Sequence, residues 1–300
     1  MAKPLPFIKY SMIQSINNHH IRPIQQMCND ELWLWWLNLN DDWKWRFLHK
    51  GLKLALWQDD DYFGYNANYD YQKYFDWSSK DLTFAYVKQL SSLTELDLSF
   101  AEIQDISTLA VFSHLTVLNL YGNEIYDITA LSNLTQLTKL DLNTNNITDI
   151  TTLSNLARLT WLDLSENNIQ NISPLSTLTQ LEMLNLSNNQ IDKIDILVNL
   201  TNLTALNLGH NQIQDVSALS KLFSLLWLGL DNNQLRDVFP LKNLTDLENL
   251  LLHNNQIQDL SPLPAFKQLT YLTLSRNPIN KQDLHPLKRQ MPKCFVEFVE

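Results

Sequence analysis

The chain has 300 residues, 45% hydrophobic and 18% charged, with only 5 glycines; that is enough apolar material for a core but little for the glycine loops that cradle phosphates, which argues against a nucleotide fold. Its 22 basic against 32 acidic side chains leave a formal charge of -10, which repels phosphate backbones and anionic membrane surfaces and so excludes nucleic acid and membrane as partners. Cys28 and Cys294 lie near opposite ends without metal-ligand spacing, so neither a disulfide framework nor a zinc site is expected, and no cofactor is expected either.

At the front, Pro4, Pro6 and Lys9 interrupt any apolar stretch before it could serve as a signal-peptide core. The bulky run Leu32–Leu37 (LWLWWL) is far shorter than the roughly 20 apolar residues that cross a bilayer. A cytoplasmic location is expected, with export as an effector lacking a cleaved signal as the alternative. The first 92 residues are rich in aromatics, among them Trp33, Trp35, Trp36, Trp43, Trp45, Trp57 and Trp77. Leu32, Trp36, Trp43, Phe47 and Leu48 fit two short helices, the second opened by Asn40 or Asp41 and stopped at Gly51. Asp59, Asp60 and Asp61 lack the ligand order of a calcium loop and are expected to form a solvated acidic loop. Residues 81–90 (DLTFAYVKQL) predict a further helix that ends just before Leu93.

From Leu93 the pattern LxxLxLxxNxI recurs every 22 residues, opening at Leu93, Leu115, Leu137, Leu159, Leu181, Leu203, Leu225, Leu247 and Leu269. Each LxL triplet predicts a short strand with its leucines turned inward by the period-two rule. Stacked units then make a parallel sheet. Asn123, Asn145, Asn167, Asn189, Asn211, Asn233, Asn255 and Asn277 hold the ninth position and offer two donors and an acceptor where the chain leaves the strand, so an asparagine ladder is expected. Ala101 replaces the asparagine in the first unit. Asp105, Asp127, Asp149, Asp215, Asp237 and Asp259 form a column suited to N-capping a short helical turn on the return half, and Pro174 and Pro262 suit its first position. Gln282–Gln290 predicts a helix, and CFVEFVE (Cys294–Glu300) alternates like a closing strand.

This 22-residue pattern, as in LTKLDLNTNNITDITTLSNLAR from Leu137 to Arg158, resembles the leucine-rich repeat family, in the class seen in bacterial internalins and eukaryotic phosphatase-regulatory proteins. The resemblance implies an α/β leucine-rich repeat solenoid, with a curved parallel sheet on the concave face and short helical turns on the convex face. It divides the chain into an aromatic-rich, mainly helical N-terminal cap (1–92), nine repeats (93–290) and a C-terminal cap strand (291–300). Tryptophan- and leucine-rich leaders precede similar bacterial arrays, which favours a cap over a separate recognition module at the front. Receptor adhesion and phosphatase regulation are not carried over, because only the repeats are shared.

Between the inward leucines two columns face solvent. The first runs Glu95, Val117, Lys139, Trp161, Met183, Ala205, Trp227, Asn249, Tyr271; the second runs Asp97, Asn119, Asp141, Asp163, Asn185, Asn207, Gly229, Leu251, Thr273. Bulky apolar groups on an outward column mark an interaction site, and Trp and Tyr are enriched at interface hot spots. Trp161, Met183, Trp227, Leu251 and Tyr271 are therefore the candidate partner contacts, over about 24 Å of sheet at ~4.8 Å per strand. Asp141 and Asp163 at one end favour a protein partner with a basic edge. Asp231, His253 and Ser275 share one column and spell a catalytic trio, but equivalent positions in successive repeats project in parallel rather than converging. His210 and His253, two repeats apart, are expected about 10 Å from one another, too far to share a metal. The sequence thus predicts a monomeric, non-enzymatic protein-binding module. The alternative is an effector or enzyme-associated protein whose N-terminal region carries a separate docking or activity role.

Overall fold

The computed structural model describes residues 24–47 and 87–299. Leu48, Gly51, Trp57, Trp77, the Asp59–Asp61 loop and positions 81–86 of the expected third helix lie outside the described residues. The N-terminal part contains α1 (Asn29–Asn38) and α2 (Asp41–Arg46), the latter opened by Asn40, whose side chain accepts the Trp43 N–H. Leu32, Trp36, Trp43 and Phe47 are buried, as the sequence predicts. A helical turn at 87–90 buries Val87 and Leu90 and delivers the chain to the first repeat.

Ten three-residue strands then form one parallel sheet in strict chain order: β1 (Glu95–Asp97), β2 (Val117–Asn119), β3 (Lys139–Asp141), β4 (Trp161–Asp163), β5 (Met183–Asn185), β6 (Ala205–Asn207), β7 (Trp227–Gly229), β8 (Asn249–Leu251), β9 (Tyr271–Thr273) and β10 (Phe295–Glu297). The central leucine of each repeat strand is buried beneath the sheet while its two neighbours face the other way. In the third repeat Leu137, Leu140, Leu142, Ile147, Ile150, Leu153 and Leu156 are all buried, each contributing about 1.5–3 kcal/mol of transfer free energy before chain entropy is counted. One repeat cannot enclose these side chains alone; stacking makes a continuous core.

The return halves are 3-10 turns, five residues long in most repeats. The aspartates of the column each accept the N–H two residues on; Asp105, Asp127, Asp149, Asp215 and Asp237 sit one residue earlier than the N-cap, with Ile106 and its equivalents between them and the turn, and Asp259 sits three residues before the N-cap Pro262. Pro174 is the second residue of its turn and Pro262 immediately precedes Leu263–Ala265.

The asparagine ladder joins the repeats. Asn145 is typical: its Oδ1 accepts the N–H of Ile125 in the preceding repeat (3.0 Å), and its Nδ2 donates to Leu120 O (3.0 Å) and Leu142 O (3.1 Å). The residue just before each ladder position takes a left-handed φ near +50° to +67°, whatever its type: Phe100, Gly122, Thr144, Glu166, Asn188, His210, Asn232, Asn254 and Arg276. That backbone reversal costs ordinary residues roughly 1–2 kcal/mol each, and the buried amide bonds beside it offset the cost. The first repeat has no earlier neighbour to receive an asparagine, so Ala101 leaves nothing unmet on its side chain. Its carbonyl accepts Nε of the buried Arg46 (2.8 Å), which α2 supplies and Asp42 pairs. Phe112 packs against Phe47 and Trp35, with ring centroids 5.4 and 5.9 Å away. At the other end β10 continues the sheet, and α3 (Lys281–Gln290) turns Leu284 and Leu287 onto the last core layer.

Candidate interaction surface

The register places Trp161, Met183, Ala205, Trp227, Asn249 and Tyr271 side by side along one row of the outward sheet face. Leu251 lies in the second row, between Gly229 and Thr273. All five bulky candidates are half-buried, so each rests partly on the sheet while keeping a solvent-facing edge. Two small residues shape the row. A Cβ on Gly229 would come within 2.6 Å of Asn207 Oδ1 and 2.8 Å of the outer edge of the Trp227 ring, so the indole reaches over its own strand where glycine leaves room. Ala205 next to it opens a hollow of about 210 Å³ lined by Met183, Ala205, Asn207 and Trp227. Sequence reading by residue class passed over Ala205 and Gly229, whose signal is a size minimum within a bulky row.

The acidic end has a different character at its two members. Asp97, Asn119, Asp141 and Asp163 stand in register. Asp141 is half-buried, and burial pushes its carboxyl above the usual range, aided by the charges of Asp163 and Asp97 and opposed by the Asn143 N–H. Asp163 is 8% exposed; it accepts from Ser165 N–H (2.9 Å) and Asn185 Nδ2 (2.9 Å), so it contributes negative potential more than a free contact. Because the folded chain holds the Asp141 proton above the ordinary value of 3.8, stability falls as pH rises through that window. Asp141→Asn is therefore expected to stabilise the protein at neutral pH by about 0.5 kcal/mol, a scale limited by solvent screening, with the two chains converging below pH 3.8. Asn119 and Asn185 already make the equivalent backbone bond. Asp149 and Asp215, held low mainly by the Thr151 and Ser217 hydroxyls, run the other way but are common to both chains. Urea unfolding of the pair from pH 3 to 7 checks this, and a constant difference would contradict it.

At the far end Tyr271 donates its hydroxyl to Glu297 Oε2 (2.6 Å) and stacks on Phe295 at 5.9 Å, so β10 fixes that ring from the C-terminal side. Phe295 itself is 65% exposed.

The column trio does not assemble. His253 directs Nδ1 to Thr273 Oγ1 (3.1 Å) and Nε2 toward Asp231 Oδ2 (3.5 Å), while Ser275 Oγ accepts the Val299 N–H (2.8 Å). The expected separation of His210 and His253 needs correcting, because side chains lean across repeats. Both Nε2 atoms approach the Asn232 amide, at 3.0 and 3.3 Å, and the same Asp231 oxygen, at 3.7 and 3.5 Å. Reading each column separately missed this diagonal grouping. Among the described residues no set of three or more His, Cys, Asp or Glu is arranged to hold a metal ion, and no helix is long and apolar enough to cross a membrane.

Comparison with known proteins agrees with this geometry. The pattern described as Leucine Rich repeats (2 copies) matches residues 113–155, 179–221 and 224–265, and related leucine-rich repeat patterns match 135–191 and 89–107. The chain is 36% identical to an internalin, InlF, of Listeria monocytogenes, with a TM-score of 0.60 over 71% of this chain and 68% of that one. Internalin C2 of the same organism is 34% identical, with a TM-score of 0.60 over 63% of this chain and 83% of that one. The Arabidopsis receptor kinase HAESA, in complex with the peptide hormone IDA and a co-receptor, is 26% identical, with a TM-score of 0.56 over 63% of this chain and 39% of that one. No curated protein matches the sequence.

Proposed function

The chain belongs to the leucine-rich repeat family, which makes it a protein-interaction module, and we propose that it receives its partner on the concave face of the sheet without catalysing a reaction. The observation that carries this reading is the in-register row Trp161, Met183, Ala205, Trp227, Asn249, Tyr271, with Leu251 beside it, each half-buried with a solvent-facing edge on a hydrogen-bonded sheet. Such a surface presents large apolar area at little conformational cost, the property of interface hot spots. A hydrogen-bonded parallel sheet holds the side chains at strand spacing, which suits an extended protein segment better than a metabolite. Asp141 and Asp163 favour a segment whose basic residues lie toward the β3–β4 end. HAESA, a structural relative, is itself in complex with a peptide hormone, which supports a peptide-like partner here.

We also propose that residues 1–92 act as a cap on the first leucine layers, that 93–290 are the nine-repeat array, and that 291–300 close it. The contacts of Arg46, Phe47 and Trp35 with the first repeats support the first assignment.

The test of docking is recovery of partner from the native organism with the parent chain and with Trp161→Ala plus Trp227→Ala. Both indoles stand outside the leucine core, so the double variant keeps its circular dichroism and melting transition. Its affinity is expected to fall at least about 30-fold, the equivalent of ~2 kcal/mol for one hot spot. Unchanged recovery by a folded double variant overturns the proposal.

A further inference from the structure

Just before each strand, at the second position of the repeat, the array keeps a further set of bonds. Thr116, Thr138, Thr160, Thr204 and Thr270 hold this position, and each hydroxyl donates to the carbonyl of the equivalent residue one repeat upstream, at 3.0 to 3.3 Å. Glu182, Leu226 and Glu248 interrupt this threonine ladder. All three are exposed, Leu226 to 43%. Three residues before Leu226, in a column otherwise made of serine, threonine, alanine and lysine, stands Phe223, which is 57% exposed. Neither residue belongs to the leucine core. A threonine at 226 would gain the bond to Thr204 O that its neighbours make and would take apolar area out of contact with water. Two large apolar groups exposed together, one of them at the loss of a hydrogen bond, mark an interaction site.

The interruption adjoins the docking row. Thr204 N–H donates to Glu182 O (2.8 Å), Leu226 N–H to Thr204 O (2.9 Å) and Glu248 N–H to Leu226 O (2.8 Å), so the four residues stand in register across successive repeats. Glu182 is followed directly by Met183, Leu226 by Trp227 and Glu248 by Asn249, all members of the row.

We propose that the docking surface turns over the N-terminal edge of the sheet at β7 onto Phe223 and Leu226, and that its occupant is a segment carrying an apolar residue flanked by lysine or arginine. The apolar residue covers Leu226 and Phe223, and the basic residues reach Glu182 and Glu248. This rests on the docking reading and specifies its partner. Charge selects the occupant. In the three columns that frame the patch, the second, twenty-first and twenty-second of the repeat, the stretch from Thr179 to Glu248 contains the carboxylates Glu182, Asp246 and Glu248 and neither lysine nor arginine. Glu248 lies one strand step from Leu226 on one side and Glu182 two steps on the other, about 5 and 10 Å, within reach of long basic side chains on either side of one apolar residue. A second copy of this chain in a two-fold contact would instead set the same carboxylates against each other.

The test pans a phage-displayed library of random peptides about twelve residues long on the immobilised full chain at low salt; recovered sequences are then synthesised and titrated. Expected are sequences with leucine or phenylalanine between lysines or arginines. Their affinity should fall at least about tenfold on Phe223→Thr plus Leu226→Thr, and its salt dependence should weaken on Glu182→Gln plus Glu248→Gln. Threonine is the residue the array already uses in both columns, so the first variant should melt within about 3 °C of the parent. A larger fall makes these residues structural and overturns the proposal. Peptides that need Trp161 and Trp227 but bind Phe223→Thr plus Leu226→Thr unchanged overturn the rim and leave the docking row standing. Peptides that need the rim but ignore Trp161→Ala plus Trp227→Ala overturn the single continuous surface. Acidic or uncharged sequences, no enrichment over an empty support, or a parent dimer on light scattering that the rim variant dissolves overturns the assigned occupant.

Discussion

Asn189→Ala is expected to destabilise the array by about 1–3 kcal/mol, the cost of leaving one buried group without a partner. Asn189 is 9% exposed; its Oδ1 accepts the Ile169 N–H at 2.9 Å, and its Nδ2 donates to Leu164 O at 2.9 Å and Leu186 O at 3.1 Å. Alanine orphans the Ile169 amide in a tightly stacked region, while Leu164 O and Leu186 O keep one bond each, from Asn167 and Asn211. The loss is also localised. It falls on the joint between the fourth and fifth repeats, and in a quasi-one-dimensional fold a weak joint divides the cooperative unit. Urea unfolding should show the lower midpoint together with a shallower or split transition. A single transition shifted by less than ~1 kcal/mol would mean that the ladder is dispensable.

Phe112→Ala carries an expected loss of about 3–5 kcal/mol, the range for emptying a buried aromatic site. Its larger effect concerns the front of the molecule. Phe112 is fully buried and is the ring on which Phe47 and Trp35 converge. Without it α1 and α2 lose their seat, and the first leucine layer, Leu96, Leu98 and Leu109, loses its cover. The variant should associate on size-exclusion chromatography with light scattering, as should a chain beginning at residue 80. If both remain monodisperse, residues 1–92 form a separate module and the cap assignment fails.

The repeat architecture was legible because its determinants recur at fixed intervals. Leucines at the first, fourth and sixth positions and asparagine at the ninth specify strand, core and ladder, and Asn145 or Asn189 makes the bonds that its chemistry predicts. Less legible were features set by backbone geometry rather than side-chain type. The left-handed position before the ladder holds Gly122, Asn188, Asn232 and Asn254, types suited to it, but also phenylalanine, threonine, glutamate, histidine and arginine, so composition at that column carries only a partial signal. Sequence identifies the aspartate column but not its offset from the turn, because an Asx bond to the second N–H and a true N-cap use the same residue types. The candidate row was legible as a pattern of side-chain size. Asp163's engagement with Ser165 and Asn185, and the leaning of His210 and His253 toward Asn232, depend on rotamers that no spacing rule specifies.

The ladder has a direction. In every joint the asparagine belongs to the later unit and completes the turn of the earlier one, as Asn123 does for Ala101 and Ile103 and Asn277 for Ile257. After the ninth unit β10 takes over the pairing, with Leu274 and Arg276 donating to Glu297 and Val299. Because each seam is written in the same way, duplicating a whole module anywhere inside the array lengthens the molecule by one strand spacing, about 4.8 Å, and leaves every other seam intact. Inserting a single residue instead displaces the amide that the preceding turn awaits. The molecule's reach is thus a quantity that changes in whole steps, and its two ends are not interchangeable.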